Sequence, residues 1–179
     1  LDILKMAGVK ATFFVVGKNG ERHPGLVARI VREGHALGNH SWDHRKLSFA
    51  SPAAVRDQLE AWENLFQPFS TEGVKLFRAP HGCMNPLAIS VLHDKRYAWI
   101  GWSRGVWDSD QPGENVLFER LTRRPRNGEI ILLHDGRGSE ATVDRSQTVA
   151  VLARVILHYT DLGYQFVTIP ELLRLREGS

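Results

Sequence analysis

His35-Ala36-Leu37-Gly38-Asn39 runs straight into His40-Ser41-Trp42-Asp43-His44, a short apolar strand followed by two histidines four residues apart. Upstream, residues 24–33 place Leu26, Val27, Ile30 and Val31 at helical spacing, and Gly34 stops that helix. Earlier still, residues 11–16 read as a buried strand ending at Gly17. Strand, helix, strand and then a polar cluster at the strand exit is the local signature of a βαβ unit.

The same rhythm continues along the chain. Ser51-Pro52 is a cap followed by Pro at the first helical position, and that helix runs to about Phe66. A strand over 74–77 leads into the loop 78–82. Asn85-Pro86 starts another helix, to about Lys95. Residues 97–102 form a strand, 113–124 a helix and 129–133 a strongly apolar strand. A long amphipathic helix over 144–162 ends at Gly163, a last strand covers 164–168, and Pro170 opens a short final helix. This alternation predicts an α/β fold with a parallel sheet and helical crossovers. Six strands are visible. Leu1, Ile3 and Leu4 form an apolar face without a preceding cap, so a seventh strand before Leu1 and missing upstream residues are expected. Residues 1–179 are expected to form one domain.

With 179 residues, 42% apolar and 24% charged, the composition is that of an ordinary globular domain with a sizeable core. The longest apolar runs, such as Ile130-Ile131-Leu132-Leu133, are far short of the roughly 20 residues of a membrane span. The net charge of +3 is small. Arg120, Arg123, Arg124 and Arg126 surround Pro125, Asn127 and Gly128, a turn at a helix end, and no nucleic-acid motif accompanies them. No nucleic-acid partner is expected. Cys83 is the only cysteine, so no intrachain disulfide forms. It is read as packing or loop structure.

In parallel α/β folds chemistry gathers at the carboxyl ends of the strands, and each polar cluster here falls there. Two imidazoles spaced like His40 and His44 reach one cation if the loop turns or continues as a helical turn. Imidazole suits zinc, cobalt, nickel or iron better than calcium or magnesium, and a site with two protein nitrogens leaves room for a carboxylate and water. The alternative is one surface histidine and one held by a local hydrogen bond. His134-Asp135 follows the apolar strand over 129–133, where a histidine serves as general acid or base, or simply plugs the rim by hydrogen bonding. Arg78-Ala79-Pro80-His81-Gly82 combines a cation that can fork onto a carboxylate with a backbone able to aim an N–H at an oxyanion; the alternative is an ordinary strand-to-helix loop. Trp107-Asp108-Ser109-Asp110, near Arg104, offers carboxylates and a flat apolar wall, or else packing and a turn before Pro112. His23, His35, His93 and His158 are assigned no role.

Together these segments resemble the polysaccharide deacetylases of carbohydrate esterase family 4, the NodB-homology domain. Lys10-Ala11-Thr12-Phe13-Phe14-Val15-Val16-Gly17 is similar to the stretch after the family's first motif. His40-Ser41-Trp42-Asp43-His44 matches H-S/T-x-x-H, Arg78-Ala79-Pro80-His81-Gly82 matches R-x-P-x-G, and Leu132-Leu133-His134 matches L-x-H, in the family's order. The resemblance implies a distorted (β/α)7 barrel whose first strand is missing from this chain. It implies a metal-dependent hydrolase that removes acetyl groups from N-acetylated polysaccharide such as chitin oligomers or peptidoglycan. Acetylated xylan and a degenerate glycan-binding domain are the alternatives. By position, His40 and His44 are metal ligands, with zinc expected and cobalt or another transition metal as the alternative, and His134 is the catalytic acid. Arg78 orients a catalytic carboxylate. Pro80, His81, Gly82, Trp107 and Leu132 shape the substrate and acetyl pocket. Many relatives act at the cell envelope or outside the cell.

Three departures qualify this. The family's opening T-F-D-D-G motif, source of the catalytic base and third metal ligand, is not in the sequence, so the chain as given is expected to be a poor catalyst. An aromatic position is held by His81. The D-x-x-D-W motif is not reproduced, and Asp108 is chosen as the partner of His134.

Overall fold

The computed structural model describes residues 1–69, 74–138 and 143–177. The chain divides into two compact units, Thr12–Gly101 on the one hand and Leu1–Ala11 with Trp102–Ser179 on the other.

The unit Thr12–Gly101 is built on a four-stranded parallel sheet in the order β1 (Thr12–Val15), β2 (Ala36–Asn39), β3 (Lys75–Phe77) and β4 (Tyr97–Trp99). The helices α2 (Gly17–Arg22) and α3 (Pro24–Arg32) connect β1 to β2, α4 (Pro52–Phe66) connects β2 to β3, and α5 (Pro86–Asp94) connects β3 to β4. Two apolar clusters seat the helices. Val55 and Leu59 of α4 meet Phe77, Tyr97 and, from α5, Val91 and Leu92. Val27 of α3 meets Trp62 and Phe66, with Val15 and Leu37 of the sheet against them. The Trp62 indole N–H also donates to the Val15 carbonyl at 2.8 Å, so the ring that fills this core also satisfies the end of β1. Both helix starts expected from the sequence are capped. Ser51 Oγ accepts from the Ala54 N–H at 3.2 Å, and Asn85 Oδ1 from the Ala88 N–H at 2.7 Å.

The other unit holds α1 (Asp2–Met6), the two-stranded parallel sheet β5 (Arg104–Gly105) and β6 (Ile131–Leu132), then α6 (Glu114–Thr122) between them and α7 (Ser146–Asp161) and α8 (Ile169–Glu177) after them. Its core joins Leu117 and Leu121 of α6 to Val151, Val155 and Tyr159 of α7. Arg104 forks onto the Glu129 carboxylate and also donates to the carbonyls of Arg120, Arg123 and Arg124, closing the end of α6.

The strand expected over 164–168 does not form. Tyr164 and Phe166 do pack on the α6–α7 core, but their backbone joins no ladder. Their alternation reports burial of side chains, not strand pairing. The strand β5 takes its place in the count; two residues beginning with arginine carry no strand signal. Cys83 is exposed and lies in the loop just after Gly82, so of the two readings, packing or loop structure, the structure keeps the second.

Candidate active site

The H-S-W-D-H segment leaves β2 as an irregular loop, not as a helical turn. Ser41 and His44 both have φ of 63°, in the left-handed region that non-glycine residues seldom adopt. A dense set of hydrogen bonds holds this backbone. The buried Asn39 accepts the Ser41 N–H at 2.8 Å and donates to the Tyr97 hydroxyl at 3.0 Å. Ser41 Oγ accepts the His44 N–H at 3.0 Å. Gln58 of α4 accepts the N–H groups of both Trp42 and Asp43 through one oxygen. The N–H groups of Gly17 and Lys18 donate to the Ser41 and Trp42 carbonyls at 2.9 Å each.

Gly17 matters for a second reason. A Cβ there would lie 2.3 Å from Cε3 of Trp42 and 3.1 Å from its Cα. Gly17→Ala is therefore expected to cost about 1–3 kcal/mol of stability, as overpacking does, and to disturb the histidine loop. Urea unfolding checks this; a wild-type midpoint would contradict the packing described.

His40 Nδ1 lies 2.7 Å from the Arg78 carbonyl oxygen. That oxygen can only accept, so Nδ1 carries the proton, and in the neutral ring Nε2 carries the lone pair. The rings of His40 and His44 stand 4.9 Å apart, and His44 and His81 are likewise 4.9 Å apart. Asp43 is not a spare carboxylate: Arg45 Nε donates to both its oxygens, at 2.9 and 3.1 Å. That hydrogen bond holds the Asp43 carboxyl below its usual value. Nitrogen donors of this kind fit a zinc- or cobalt-like ion, while among the described residues no three His, Cys, Asp or Glu side chains are already gathered around one point.

Arg78 follows β3 and is buried. Its guanidinium donates to the carbonyls of Ile100 and Gly101, at 3.3 and 2.9 Å, and lies 4.2 Å over the Phe14 ring. Burial pushes its pKa down to about 10. Pro80 to Gly82 form a short 3₁₀ turn in which His81 and Gly82 have φ of 57° and 70°. The Gly82 N–H donates to the Ala79 carbonyl at 3.0 Å and is spent within the turn.

In the other unit, Asp108 and His134 meet. His134 Nδ1 is 2.7 Å from Asp108 Oδ1, and the His134 backbone N–H donates to Oδ2 at 2.8 Å. Thr148 of α7, a residue sequence reasoning missed, donates its hydroxyl to the same Oδ2 at 3.1 Å. The Asp108 side chain is 1% exposed and that of His134 is 41% exposed, so the pair is a buried carboxylate carrying an accessible imidazole. Burial pushes the Asp108 carboxyl up, but the hydrogen bonds and charge of His134 and the Thr148 hydroxyl outweigh it, and the net shift is downward. A carboxyl whose folded pKa is lowered stabilises the fold above its unfolded value and loses that contribution as pH falls through the folded one. Below about pH 4, wild type is therefore expected to lose stability more steeply than Asp108→Asn. Circular dichroism at stepped pH reads this; parallel curves would contradict it. Trp107, also with left-handed φ, is 71% exposed, and Leu132 lies in β6, half-buried.

A model of the family described as polysaccharide deacetylase matches residues 1–100. The chain belongs to the polysaccharide deacetylase family. It is 34% identical to a peptidoglycan-N-acetylglucosamine deacetylase of Bacillus cereus over 181 residues, covering 98% of this chain and 81% of that one. It is 33% identical to a chitooligosaccharide deacetylase of Sinorhizobium fredii, covering 96% and 82%. Among solved structures, a family 4 acetyl xylan esterase from Clostridium thermocellum, in complex with a cobalt ion, superposes with a TM-score of 0.85 at 28% identity, covering 98% and 82%. The α/β fold of this polysaccharide deacetylase family member, with every described strand pair parallel, superposes on that of the esterase. No described helix is long and apolar enough to cross a membrane.

Proposed function

We propose that the chain is a metal-dependent deacetylase that releases acetate from N-acetylated glycans, polymers containing N-acetylglucosamine such as peptidoglycan or chitin oligomers. The observation that carries this is the 2.7 Å contact between buried Asp108 and accessible His134. Hydrolysis of an amide requires a proton on the departing nitrogen, and a carboxylate-held imidazole delivers one. Ester hydrolysis, with a better leaving group, needs this less. Two of the relatives above 30% identity are named a peptidoglycan-N-acetylglucosamine deacetylase and a chitooligosaccharide deacetylase, which favours the same side.

In this reading His40 and His44 hold the cation, with zinc favoured by the nitrogen donors and cobalt next. When bound, such an ion supplies polarisation of the acetyl carbonyl and a lowered pKa for water. His134 keeps its Nδ1 proton on Asp108 and gives the Nε2 proton to the sugar nitrogen as the C–N bond breaks. Asp108 fixes the ring and stabilises the imidazolium, and Thr148 fixes Asp108. Because the Gly82 N–H is spent, the His81 N–H is the donor of that loop assigned to the oxyanion. Arg78 orients a catalytic carboxylate. Pro80, Leu132 and the exposed face of Trp107 shape the substrate's surroundings.

Acetate release by the full-length protein from an N-acetylglucosamine oligomer and from O-acetylated xylan tests the substrate class. Faster release from the oligomer is expected. Preference for xylan would overturn the N-acetyl assignment, and glycan binding without turnover of either would mark a degenerate binding domain.

A further inference from the structure

We infer that Arg145 is a positioning residue for proton transfer by His134: it fixes the loop through which the chain leaves that histidine. The inference rests on the reading of His134 as proton donor and names a further residue on which that role depends. Asp108 meets both Nδ1 and the backbone N–H of His134, at 2.7 and 2.8 Å. The imidazole is therefore oriented only as firmly as Asp108 and the His134 backbone are themselves held.

Thr148 holds Asp108. On the other side the chain runs from His134 through the exposed Asp135 to Gly136. A Cβ on Gly136 would meet nothing within 4 Å, so side-chain packing does not fix this exit. Arg145 does. Its Nε and Nη2 both donate to the Gly136 carbonyl, at 3.2 and 2.8 Å. Arg145 is only 8% exposed, and taking a guanidinium out of water is costly unless its donors are used. Arg145 directly precedes α7 and Thr148 is the third residue of that helix. One helical turn thus reaches both supports of His134, the carboxylate beside it and the backbone after it. The same turn is tied to the loop that follows Asp108. The Gln111 amide donates to the Asp144 carbonyl at 2.9 Å, and the Gln147 side chain accepts the Gly113 N–H at 2.8 Å. Val151 and Val155 root α7 in the core against Leu117 and Leu121, so the support is rigid.

The test compares full-length wild type, Arg145→Met, Arg145→Lys and His134→Ala on two substrates. An N-acetylglucosamine oligomer has a nitrogen that must be protonated to leave; para-nitrophenyl acetate has a phenolate that leaves without a proton. Arg145→Met is expected to lower kcat on the oligomer about 10-fold or more, within the roughly 100-fold that a misplacement of an ångström costs. KM and the ester rate should stay near wild type. Arg145→Lys should recover part of the loss, because an ammonium can still donate to the carbonyl. A merely structural role would lower both substrates together, through the folded fraction. Amide hydrogen exchange at His134, read without turnover, should quicken in Arg145→Met. If methionine prevents folding, the same ratio in Arg145→Lys decides. Equal losses on both substrates, or wild-type kinetics and exchange, with His134→Ala still selective for the amide, would overturn the role of Arg145 and leave His134 as the donor. An unchanged amide-to-ester ratio in His134→Ala, or no turnover by wild type, would overturn both.

Discussion

Replacing His134 by alanine is expected to lower turnover on an N-acetylglucosamine oligomer by about 10²- to 10⁴-fold, the usual contribution of a positioned general acid, while metal content stays at the wild-type level. The separation of the two effects follows from where the residue sits. His134 is held by Asp108 through side chain and backbone together, within the unit that includes Trp102–Ser179, whereas His40 and His44 belong to the unit Thr12–Gly101. Asp108→Asn should reproduce much of the loss. An amide can accept from only one of the two His134 N–H groups and must turn its own N–H₂ toward the other. Steady-state kinetics with metal analysis of the same preparations reads both quantities. Equal loss of metal in His134→Ala would contradict the assignment of this histidine to proton transfer.

The second large effect is expected on metal affinity. His44→Asn should weaken zinc or cobalt binding by more than about 100-fold, beyond the range lost when an outer partner of a ligand is removed. Asparagine suits this test because His44 has φ of 63°, which alanine would adopt at a cost. Unfolding midpoints of the metal-free proteins should therefore stay close together. Unchanged affinity in a folded variant would remove His44 from the ligand set.

Much of this was legible along the chain because it rests on local signals. The apolar runs that became β1 to β4 are bounded by glycine, proline and polar exits, and the caps at Ser51 and Asn85 stand where Ser-Pro and Asn-Pro put them. The histidine pair stands out by its spacing and Asp108 is chosen as partner of His134 by position in the family resemblance; the contact between the latter two is present. What escaped is long-range or conformational. The helix α2, Gly-Lys-Asn-Gly-Glu-Arg, has no apolar stripe. It packs through its glycines, Gly17 under Trp42 and Gly20 under Phe66. Gln58 looks like any polar helix residue until its oxygen is seen accepting two N–H groups of the histidine loop, 15 and 16 residues earlier in sequence. Thr148 reaches Asp108 across 40 residues. Tyr164 and Phe166 alternate as a strand does because both side chains are drawn to the α6–α7 core, yet no neighbouring strand pairs with their backbone.

Acetate release from an N-acetylglucosamine oligomer by the full-length protein, before chelation, after it, and after readdition of zinc or cobalt, tests the central claim most directly. Release that chelation abolishes and either ion restores is expected. Release that survives complete removal of metal would contradict it.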